Sequence, residues 1–555
     1  MKTRLLTLLA AAALIAGCAT PPPSPPPLVD APPLQLRIFA INDFHGNLKG
    51  SPTGIRVNDP ARPGQKMTVQ TGGAAAMAAL LNEQRQGQAH HIFVAAGDLV
   101  GATPLLSSLY KDEPTVEALN LMGLELSALG NHELDRGMAE TLRRQQGGCH
   151  PVDGCTGPKP YAGARFQYLS ANAVLTASGK TLFPAYSIKR YEGIPVGFIG
   201  IILRDTPSVA SATAVVGLRF GDEADAVNAA VAELRRQGVE AIVVLMHEGG
   251  IPGGDYNECP SISGPLGAMV QRMDKAVDLV ISGHTHRAYN CVIDGRVVTS
   301  AASYSMLLTR VDLSIDRRTR DVVKAQAENL IVRLDQPSPD PAVTALIADY
   351  EKRAGPLMGR PVTRLAAPFP QGMTDQGNSA LGELIADAQL DATRDLGAQL
   401  ALMNSGGVRA ALGRADKLDI DYADVFSVQP FSNQLITMTI TGAQLRLLLD
   451  SPDADRQRRR VFVSRGFSYT WDANGAPNQR VLADSLLLNG KLIRPEDRVR
   501  VTVNSFMADG GDGLGPLRQG TERQAGPIDV DAFEAYLKSR PGLAPDPVPR
   551  VKRLN

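Results

Sequence analysis

The chain has 555 residues, with 44% hydrophobic and 21% charged residues and a formal net charge of zero. This length exceeds what one hydrophobic core usually supports, so two or three domains are expected. A neutral chain has no general attraction for polyanions, so a nucleic-acid polymer is not an expected partner, although a single small anion needs only a local site.

The N-terminus is typical of an export signal, residues 1–17, rather than of folded structure. Lys2 and Arg4 precede an apolar run that is too short to span a bilayer. The sequence LIAGC, which ends at Cys18, resembles a bacterial lipobox, in which this cysteine would be acylated; a plain secretory signal cut nearby is the alternative. Residues 18–33 are rich in proline and would form a stiff lipidated linker. We therefore expect an exported lipoprotein, facing the periplasm or the cell surface and anchored to the membrane at Cys18.

Short apolar runs alternate with amphipathic stretches over residues 34–335. A helix is predicted from Glu223 to Gln237, where Gly238 ends it, and Pro114 stands near the start of another. This alternation predicts a layered α/β domain in which helices cover the strands of a sheet. The runs that we interpret as strands are Leu36–Ile41, His91–Ala96, Leu126–Leu129, Ala241–Met246 and Leu279–Ser282.

The pattern changes after residue 335. Residues 336–356 are predicted to form a linker helix that ends at Gly355-Pro356. Residues 357–545 are predicted to form a second domain, in which Leu400–Met403 and Val499–Val503 have the composition of strands.

Four cysteines remain after Cys18. An exported compartment permits disulfide bonds, and an even number suits pairing. Cys149 and Cys155 flank a loop rich in glycine and proline, so we expect them to pair locally and leave Cys259 with Cys291. Zinc binding by these cysteines is the alternative, although none has the CxxC spacing.

Each of the five predicted strands of the first domain is followed by side chains that bind metals or transfer protons. Ligands of open α/β sheets bind beyond the carboxyl ends of the strands. Five of the eight histidines of the chain stand in these short motifs, which is not the scatter expected of surface residues. The motifs are Asn42–Gly46, Gly97-Asp98, Gly130–Asp135, His247–Gly250 and Gly283–His286.

The residue types in these motifs indicate the metal. Carboxylate, amide and imidazole donors without a thiolate suit zinc, manganese, cobalt or iron rather than calcium. Seven candidate ligands are too many for one tetrahedral ion, but two ions that share a carboxylate would use them. Asp98 is the natural bridge, and two ions about 3.5–4 Å apart can activate water for an in-line displacement.

The motifs NDFHG, GD, GNHELD, HEGG and GHTH, in this order, resemble those of the calcineurin-like metallophosphoesterases. Together with NSGGVR and NSFMADGGDG in the second domain, they resemble the family of 5′-nucleotidases, UDP-sugar hydrolases and 2′,3′-cyclic-nucleotide phosphodiesterases. The resemblance runs from about Leu34 to the end of the second domain. It implies an α/β fold with a four-layer metallophosphoesterase domain, a β-sandwich flanked by helices, followed by a smaller α+β substrate-binding domain.

The resemblance also implies roles for individual residues. His132 would approach the phosphoryl oxygens or the leaving group, and Asp135 would orient its imidazole. Glu133 is expected to support the site without binding metal. The implied ligands are Asp43, His45, Asp98 and His286 for one ion and Asp98, Asn131, His247 and His284 for the other.

For the substrate, the resemblance implies two base-stacking rings and a set of polar contacts in the second domain. These residues are Asn404, Arg409, Phe431, Phe506 and Asp512. One feature departs from the family, whose 5′-nucleotidases carry arginines shortly before the position of Asn378. Residues 371–377 contain no basic residue. The anion contact would then fall to Arg409 alone, or Arg360 or Arg364 would reach the site.

The expected function is hydrolysis of nucleotide phosphate esters, either nucleoside 5′-monophosphates or also UDP-sugars, by a metal-activated hydroxide. The alternative is a 2′,3′-cyclic-nucleotide 2′-phosphodiesterase with 3′-nucleotidase activity. A catalytically inactive surface-binding lipoprotein is a third interpretation, but every ligand position from Asp43 to His286 is filled. The sequence gives no oligomeric state.

Overall fold

The computed structural model describes residues 32–50, 54–210, 214–335, 338–450 and 461–554. The predicted signal segment and Cys18 lie outside these residues. Within the described ranges, no helix is long and apolar enough to cross a membrane.

The first domain contains two six-stranded sheets. In the first sheet, Leu34–Ile41 runs parallel to His91–Ala95 and antiparallel to Leu307–Ile315. In spatial order its strands are Val322–Ile331, Leu307–Ile315, Leu34–Ile41, His91–Ala95, Leu126–Ala128 and Gln167–Leu169.

The second sheet is built around Ala241–His247, whose seven residues are all buried. This strand is parallel to both of its neighbours, Ile194–Ile202 and Leu279–Ser282. In spatial order the strands are Ala288–Ile293, Arg296–Ala301, Leu279–Ser282, Ala241–His247, Ile194–Ile202 and Tyr186–Tyr191. Three short strand pairs lie outside the two sheets: Ile55–Asn58 with Lys66–Val69, Ala173–Leu175 with Leu218–Phe220, and Ile251–Pro252 with Ile262–Ser263.

The two sheets pack face to face, and helices cover both outer faces. Because side chains alternate along a strand, Ile38 joins the core between the sheets, where Val243 of the second sheet also lies, whereas Phe39 packs outward with helix residues such as Met77. This arrangement confirms the expected four layers. The helices of this domain are Ala74–Arg85, Leu105–Ser108, Glu113–Met122, Met138–Gln146, Thr206–Val209, Glu223–Arg236 and Leu266–Arg272, with a 3₁₀ turn at His132–Leu134.

A single helix, Pro341–Met358, connects the domains. Its start is capped by the Asp340 side chain, which accepts hydrogen bonds from two backbone N–H groups of the first turn. The predicted end at Gly355-Pro356 was wrong, because the helix continues to Met358. A proline this close to the end removes one hydrogen bond of the last turn, and the N–H of Gly359 still bonds to the carbonyl of Gly355.

The second domain is a mixed α/β unit. Its five-stranded sheet contains, in order, Val461–Val463, Leu400–Asn404, Arg498–Asn504, Gln434–Thr441 and Thr521–Ile528. A four-stranded sheet contains Lys491–Leu492, Leu487–Leu488, Phe467–Asp472 and Val551–Leu554, and Pro361–Arg364 pairs with Asp419–Asp421. The helices are Ala380–Ala392, Tyr422–Val428, Gly442–Leu449, Ser505–Ala508 and Asp529–Lys538, and 3₁₀ turns lie at Arg394–Leu396, Ser405–Gly407, Ala483–Ser485, Gly511–Gly513 and Gly515–Gln519. Since Val551–Leu554 belongs to a sheet of this domain, the domain continues beyond the predicted end at residue 545.

The two domains share a packed contact beside the loop that follows Asp98. Leu105 of the first domain is 3% exposed and belongs to the apolar core that contains Val425 and Phe426 of the second. Burial of a leucine at this boundary contributes about 1.5–3 kcal/mol to holding the domains together.

Both predicted disulfide bonds are confirmed. Cys149 is joined to Cys155, and Cys259 is joined to Cys291. These four cysteines are therefore not zinc ligands.

Candidate active site

The seven predicted metal ligands meet at the carboxyl edges of the two sheets. In the first sheet, three strands run parallel and their C-terminal ends lie at one edge: Leu34–Ile41, His91–Ala95 and Leu126–Ala128. In the second sheet, the strands that lead to His247 and His284 are also parallel and end at one edge. Residues that are up to 243 positions apart in the sequence thereby surround one small volume (286 − 43 = 243). The predicted convergence of the motifs is what the geometry shows.

One group of donors gathers around His286. Its Nε2 atom lies 3.2 Å from Oδ1 of Asp43 and 3.3 Å from Nε2 of His45. The Asp43 carboxylate is fully buried and accepts hydrogen bonds from the backbone N–H of His284 and from the Asn42 amide, so its position is fixed from two sides.

A second group gathers around His247. The Nε2 atom of this residue lies 3.0 Å from Oδ2 of Asp98 and 3.2 Å from Oδ1 of Asn131. The same Asn131 oxygen lies 3.1 Å from Nδ1 of His284.

Asp98 lies between the two groups. Its Oδ2 atom is 3.0 Å from Nε2 of His247 and 3.6 Å from Nε2 of His45, while its Oδ1 accepts the backbone N–H of His132. Asp98 also belongs to two of the three donor clusters that, within the described ranges, could hold a metal ion. A carboxylate in this position can serve both groups.

The donor set fits divalent cations. Nδ1 of His45 donates to the backbone carbonyl of Gly101 at 2.8 Å. Nδ1 of His247 donates to the backbone carbonyl of Ala96 at 2.7 Å. Each Nε2 then faces the neighbouring donors, and a hydrogen bond from the other ring nitrogen is the arrangement that metal-binding histidines adopt. Burial opposes the charged form of His247, but the carboxylates of Asp98 and then Asp43 raise its pKa to about 10. The two carboxylates therefore favour a positive charge beside His247.

Five of the seven predicted ligands adopt left-handed backbone conformations, which are uncommon outside glycine. Such conformations cost about 1–3 kcal/mol each and persist where the surrounding structure enforces them. The φ angles are 49° for Asp43, 46° for His45, 52° for Asp98, 69° for His284 and 54° for His286. The loops that hold the donors therefore contain strained backbone.

Close packing of the loops also requires glycine. A Cβ atom at Gly130 would lie 2.2 Å from Oδ1 of Asp98 and 2.7 Å from Oε2 of Glu133. The glycine before Asn131 therefore lets two motif loops meet.

Glu133 holds the loop that contains Asp98 to the loop that contains Gly130. Its fully buried carboxylate accepts hydrogen bonds from the backbone N–H groups of Asp98, Leu99 and Gly130 at 2.7–3.0 Å. Burial, then the nearby charge of Asp98, raises the pKa of Glu133 to about 7. These contacts agree with the supporting role predicted for Glu133.

His132 and Asp135 form a pair beside the donors. Nδ1 of His132 lies 2.8 Å from Oδ2 of Asp135, so Nδ1 carries the proton that is donated, and Nε2 is the atom left for other contacts. The His132 ring lies edge-on to that of His45, with centroids 5.0 Å apart. His132 also falls within one cluster that could hold a metal, together with His45 and Asp98.

A cavity of about 340 Å³ joins this site to the second domain. Both domains line it, and the predicted substrate residues all reach it. The first domain contributes Asp98, Asn131, His132, Asp135, His284 and His286; the second contributes Asn404, Arg409, Phe431, Phe506 and Asp512.

The residues of the second domain are held by contacts among themselves. Asn404 donates to Oδ2 of Asp512 at 2.7 Å, and the ring of Phe506 packs over the backbone of Gly511. Nε and Nη2 of Arg409 are buried and have no hydrogen-bond partner among the described residues. The guanidinium carbon of Arg409 lies 5.8 Å from the ring centroid of Phe431.

One contact across the cavity was not predicted. The ring of Phe431 stacks on His132, with centroids 5.9 Å apart and planes inclined by 26°. No motif indicates this contact, because it depends on how the two domains pack.

The sequence offered Arg360 and Arg364 as alternative anion contacts, and the structure places both elsewhere. Arg360 pairs with Glu534 at 2.9 Å, Arg364 pairs with Asp419 at 2.6 Å, and neither lines the cavity. Arg136, which sequence reasoning missed, does line it. Its only sequence signal is its place directly after the GNHELD motif.

Comparison with known proteins agrees with this geometry. Residues 36–288 match the calcineurin-like phosphoesterase family, and residues 361–518 match the 5′-nucleotidase C-terminal domain. The chain is 32% identical over 507 residues to the endonuclease YhcR of Bacillus subtilis (strain 168), covering 91% of this chain and 40% of YhcR. The chain thus spans less than half the length of that relative.

Two 5′-nucleotidases match over most of their length. The chain is 22% identical over 514 residues to the 5′-nucleotidase of Vibrio cholerae, covering 84% of this chain and 86% of that protein. The crystal structure of a 5′-nucleotidase precursor from Thermus thermophilus superposes with a TM-score of 0.78 at 25% identity, covering 94% of this chain and 100% of the other. The chain therefore belongs to the family that joins a calcineurin-like phosphoesterase domain to a 5′-nucleotidase C-terminal domain, and it is a phosphoric ester hydrolase by family.

Proposed function

We propose that the protein hydrolyses phosphate esters of nucleotides, with nucleoside 5′-monophosphates as its main substrates and UDP-sugars as further ones. The observation that carries this proposal is the continuity of the site. Metal donors centred on Asp98 open into the same cavity as two phenylalanine rings, an arginine and a carboxylate of the second domain.

The seven donors would hold two divalent ions of zinc, manganese or cobalt. When bound, such ions activate water and stabilise the charge on phosphoryl oxygens. Asp98 would contact both ions, since it lies between the two donor groups.

His132 would act on the leaving group. Asp135 accepts the proton of Nδ1, so Nε2 is the atom that can share a proton with the departing oxygen. The Asp135 carboxylate also stabilises the imidazolium form. His132 lines the cavity, which places it within reach of a bound ester.

The second domain would select the substrate. Phe431 and Phe506 would stack on the base, a contact worth about 1–3 kcal/mol for each base on proteins. Asp512, oriented by Asn404, would accept hydrogen bonds from the ribose, and Arg409 would bind the phosphate. The donors of Arg409 that lack a protein partner support the last assignment.

The size of the cavity favours a mononucleotide. A volume of about 340 Å³ lies at the lower end of the range for small-molecule sites and is enclosed by two domains. The relative YhcR is named an endonuclease, and this chain covers 40% of the length of that protein.

A second candidate is the 2′,3′-cyclic-nucleotide 2′-phosphodiesterase and 3′-nucleotidase activity. It is favoured by residues 371–377, which bring no cation to the cavity, and by the ion pairs that hold Arg360 and Arg364 away from it. A cyclic phosphodiester carries one negative charge and would need fewer cationic contacts.

The test is turnover by purified protein loaded separately with zinc, manganese and cobalt. We expect hydrolysis of AMP to exceed that of 2′,3′-cyclic AMP and UDP-glucose. Faster turnover of the cyclic substrate would select the second candidate, and hydrolysis of none of the three by any metal form would refute the proposal.

We further propose that the chain is exported and anchored by a lipid on Cys18. Support comes from the signal-like residues 1–17 and from two disulfide bonds, which persist in oxidising compartments. Labelled fatty acid should be incorporated by the wild-type chain and not by C18S; equal labelling would contradict the anchor.

A further inference from the structure

Among the residues that the structure describes, two arginines line the cavity, one from each domain. Arg409 belongs to the second domain, whereas Arg136 directly follows Asp135, the partner of His132. The stacked rings of His132 and Phe431 bring the two walls together, and both guanidinium-bearing residues line the same cavity.

Neither of these arginines forms an ion pair within the described part of the chain. Nη2 of Arg136 donates to the hydroxyl of Ser108 at 2.9 Å and to its carbonyl at 3.4 Å, and both acceptors are uncharged. By contrast, Arg360 and Arg364 are each neutralised by a carboxylate. The direct hydrogen-bond partners of the Arg136 guanidinium are therefore uncharged.

The negative charge of the substrate determines how strongly two cationic side chains can bind it. A phosphate monoester carries between one and two negative charges at neutral pH, since its second pKa is near 6, whereas a diester carries one. Arg409 can engage one anionic oxygen through its free donors. A second cation at the cavity favours the substrate with the additional charge.

We propose that Arg136 is a specificity-determining residue that binds this additional negative charge and directs the enzyme toward doubly charged phosphate monoesters rather than singly charged diesters. This inference rests on the proposed function. Residues 371–377 do not provide a cationic contact to the substrate. The inference assigns this contact to a residue of the first domain.

The experiment compares two substrates with the same leaving group, p-nitrophenyl phosphate and bis(p-nitrophenyl) phosphate, at pH 8. In R136Q we expect the KM for the monoester to rise about tenfold, the size of one charge-assisted hydrogen bond. Both kcat values should change less than about twofold, because the lost contact is made equally in the ground state and in the transition state. The KM for the diester should also change less than about twofold, because the diester lacks the additional charge. R136K should restore part of the lost affinity.

R165Q is the matched control, since Arg165 is exposed, lies in the same domain and does not line the cavity. It should leave both KM values unchanged, and raising the salt concentration should weaken the R136Q effect by screening. Equal KM shifts for both substrates, or no shift for either in a variant with wild-type thermal stability, would overturn the inference. Failure of the proposed function is distinct, because the wild-type enzyme would then hydrolyse neither nucleotides nor these esters.

Discussion

The two walls of the cavity hold their side chains in different ways. On the first-domain wall, Asp43, Asp98 and His247 are almost completely buried, and each is fixed by hydrogen bonds or by a constrained backbone. On the second-domain wall, Phe431 and Arg409 are only partly buried, and two Arg409 donors have no partner among the described residues. The first wall is organised by its own contacts, whereas on the second wall Asn404 and Asp512 are bonded to each other but Arg409 keeps two donors without a partner among the described residues.

This difference predicts different consequences of mutation. A change to a buried donor of the first wall, or to His132, should remove interactions made in the transition state and lower kcat. A change on the second wall should chiefly weaken substrate binding and raise KM.

The largest effect is expected for Asp98→Ala, which removes the carboxylate shared by both donor groups. The kcat should fall at least about 10³-fold, because several kcal/mol of transition-state stabilisation by metal ions are lost. Elemental analysis should show reduced occupancy of both ions. D395A, which changes an exposed carboxylate of the second domain, is the control and should keep metal and activity. Retention of two ions by D98A would contradict the shared position.

The next effect is expected for His132→Ala. Loss of a proton-transfer group typically lowers turnover about 10²–10⁴-fold, and metal content should be unchanged. H150A changes a histidine that does not line the cavity and should leave turnover at the wild-type level. If H132A loses metal together with activity, His132 is a ligand and the separation of roles on the first wall is wrong.

Substitution of Phe431 tests whether the two walls act separately, because the Phe431 ring also contacts His132 of the first wall. F506L should raise the KM for AMP about fivefold to 100-fold through lost stacking, with kcat preserved. F431L should raise KM similarly and also lower kcat, because the ring that positions the imidazole is gone. Steady-state kinetics on both variants measures this difference. Indistinguishable kcat values for the two variants would show that the stacking on His132 has no catalytic role.

The smallest effect is expected for Arg364→Gln. Its guanidinium is paired with Asp419 on the exposed surface, and exposed pairs contribute little. The kcat/KM for AMP should stay within about twofold of the wild type. A large rise in KM would mean that Arg364 turns into the cavity during turnover and that the second wall is incompletely described.

The convergence of the donors could be predicted from the sequence for a physical reason. Motifs after Leu34–Ile41, His91–Ala95 and Ala241–His247 follow buried parallel strands, and the ends of such strands meet at one edge. The order of the motifs therefore predicted the spatial arrangement of the donors, including the central position of Asp98.

The contacts between the walls could not be predicted in this way. His132 and Phe431 are separated by 299 positions (431 − 132 = 299), and their stacking depends on the packing of Leu105 into the second domain. Arg136 has no periodicity or spacing that marks it as a cavity residue. The strand Val322–Ile331 was also not identified, since polar residues interrupt its apolar ones, a single position is buried and no motif follows it.

The most direct test of the central claim is anomalous diffraction from crystals of the manganese- or zinc-loaded protein. Two anomalous peaks are predicted about 3.5–4 Å apart, both in contact with the Asp98 carboxylate, one beside His45 and His286 and the other beside His247 and His284. A single peak at full metal loading, or peaks that do not touch Asp98, would contradict the account.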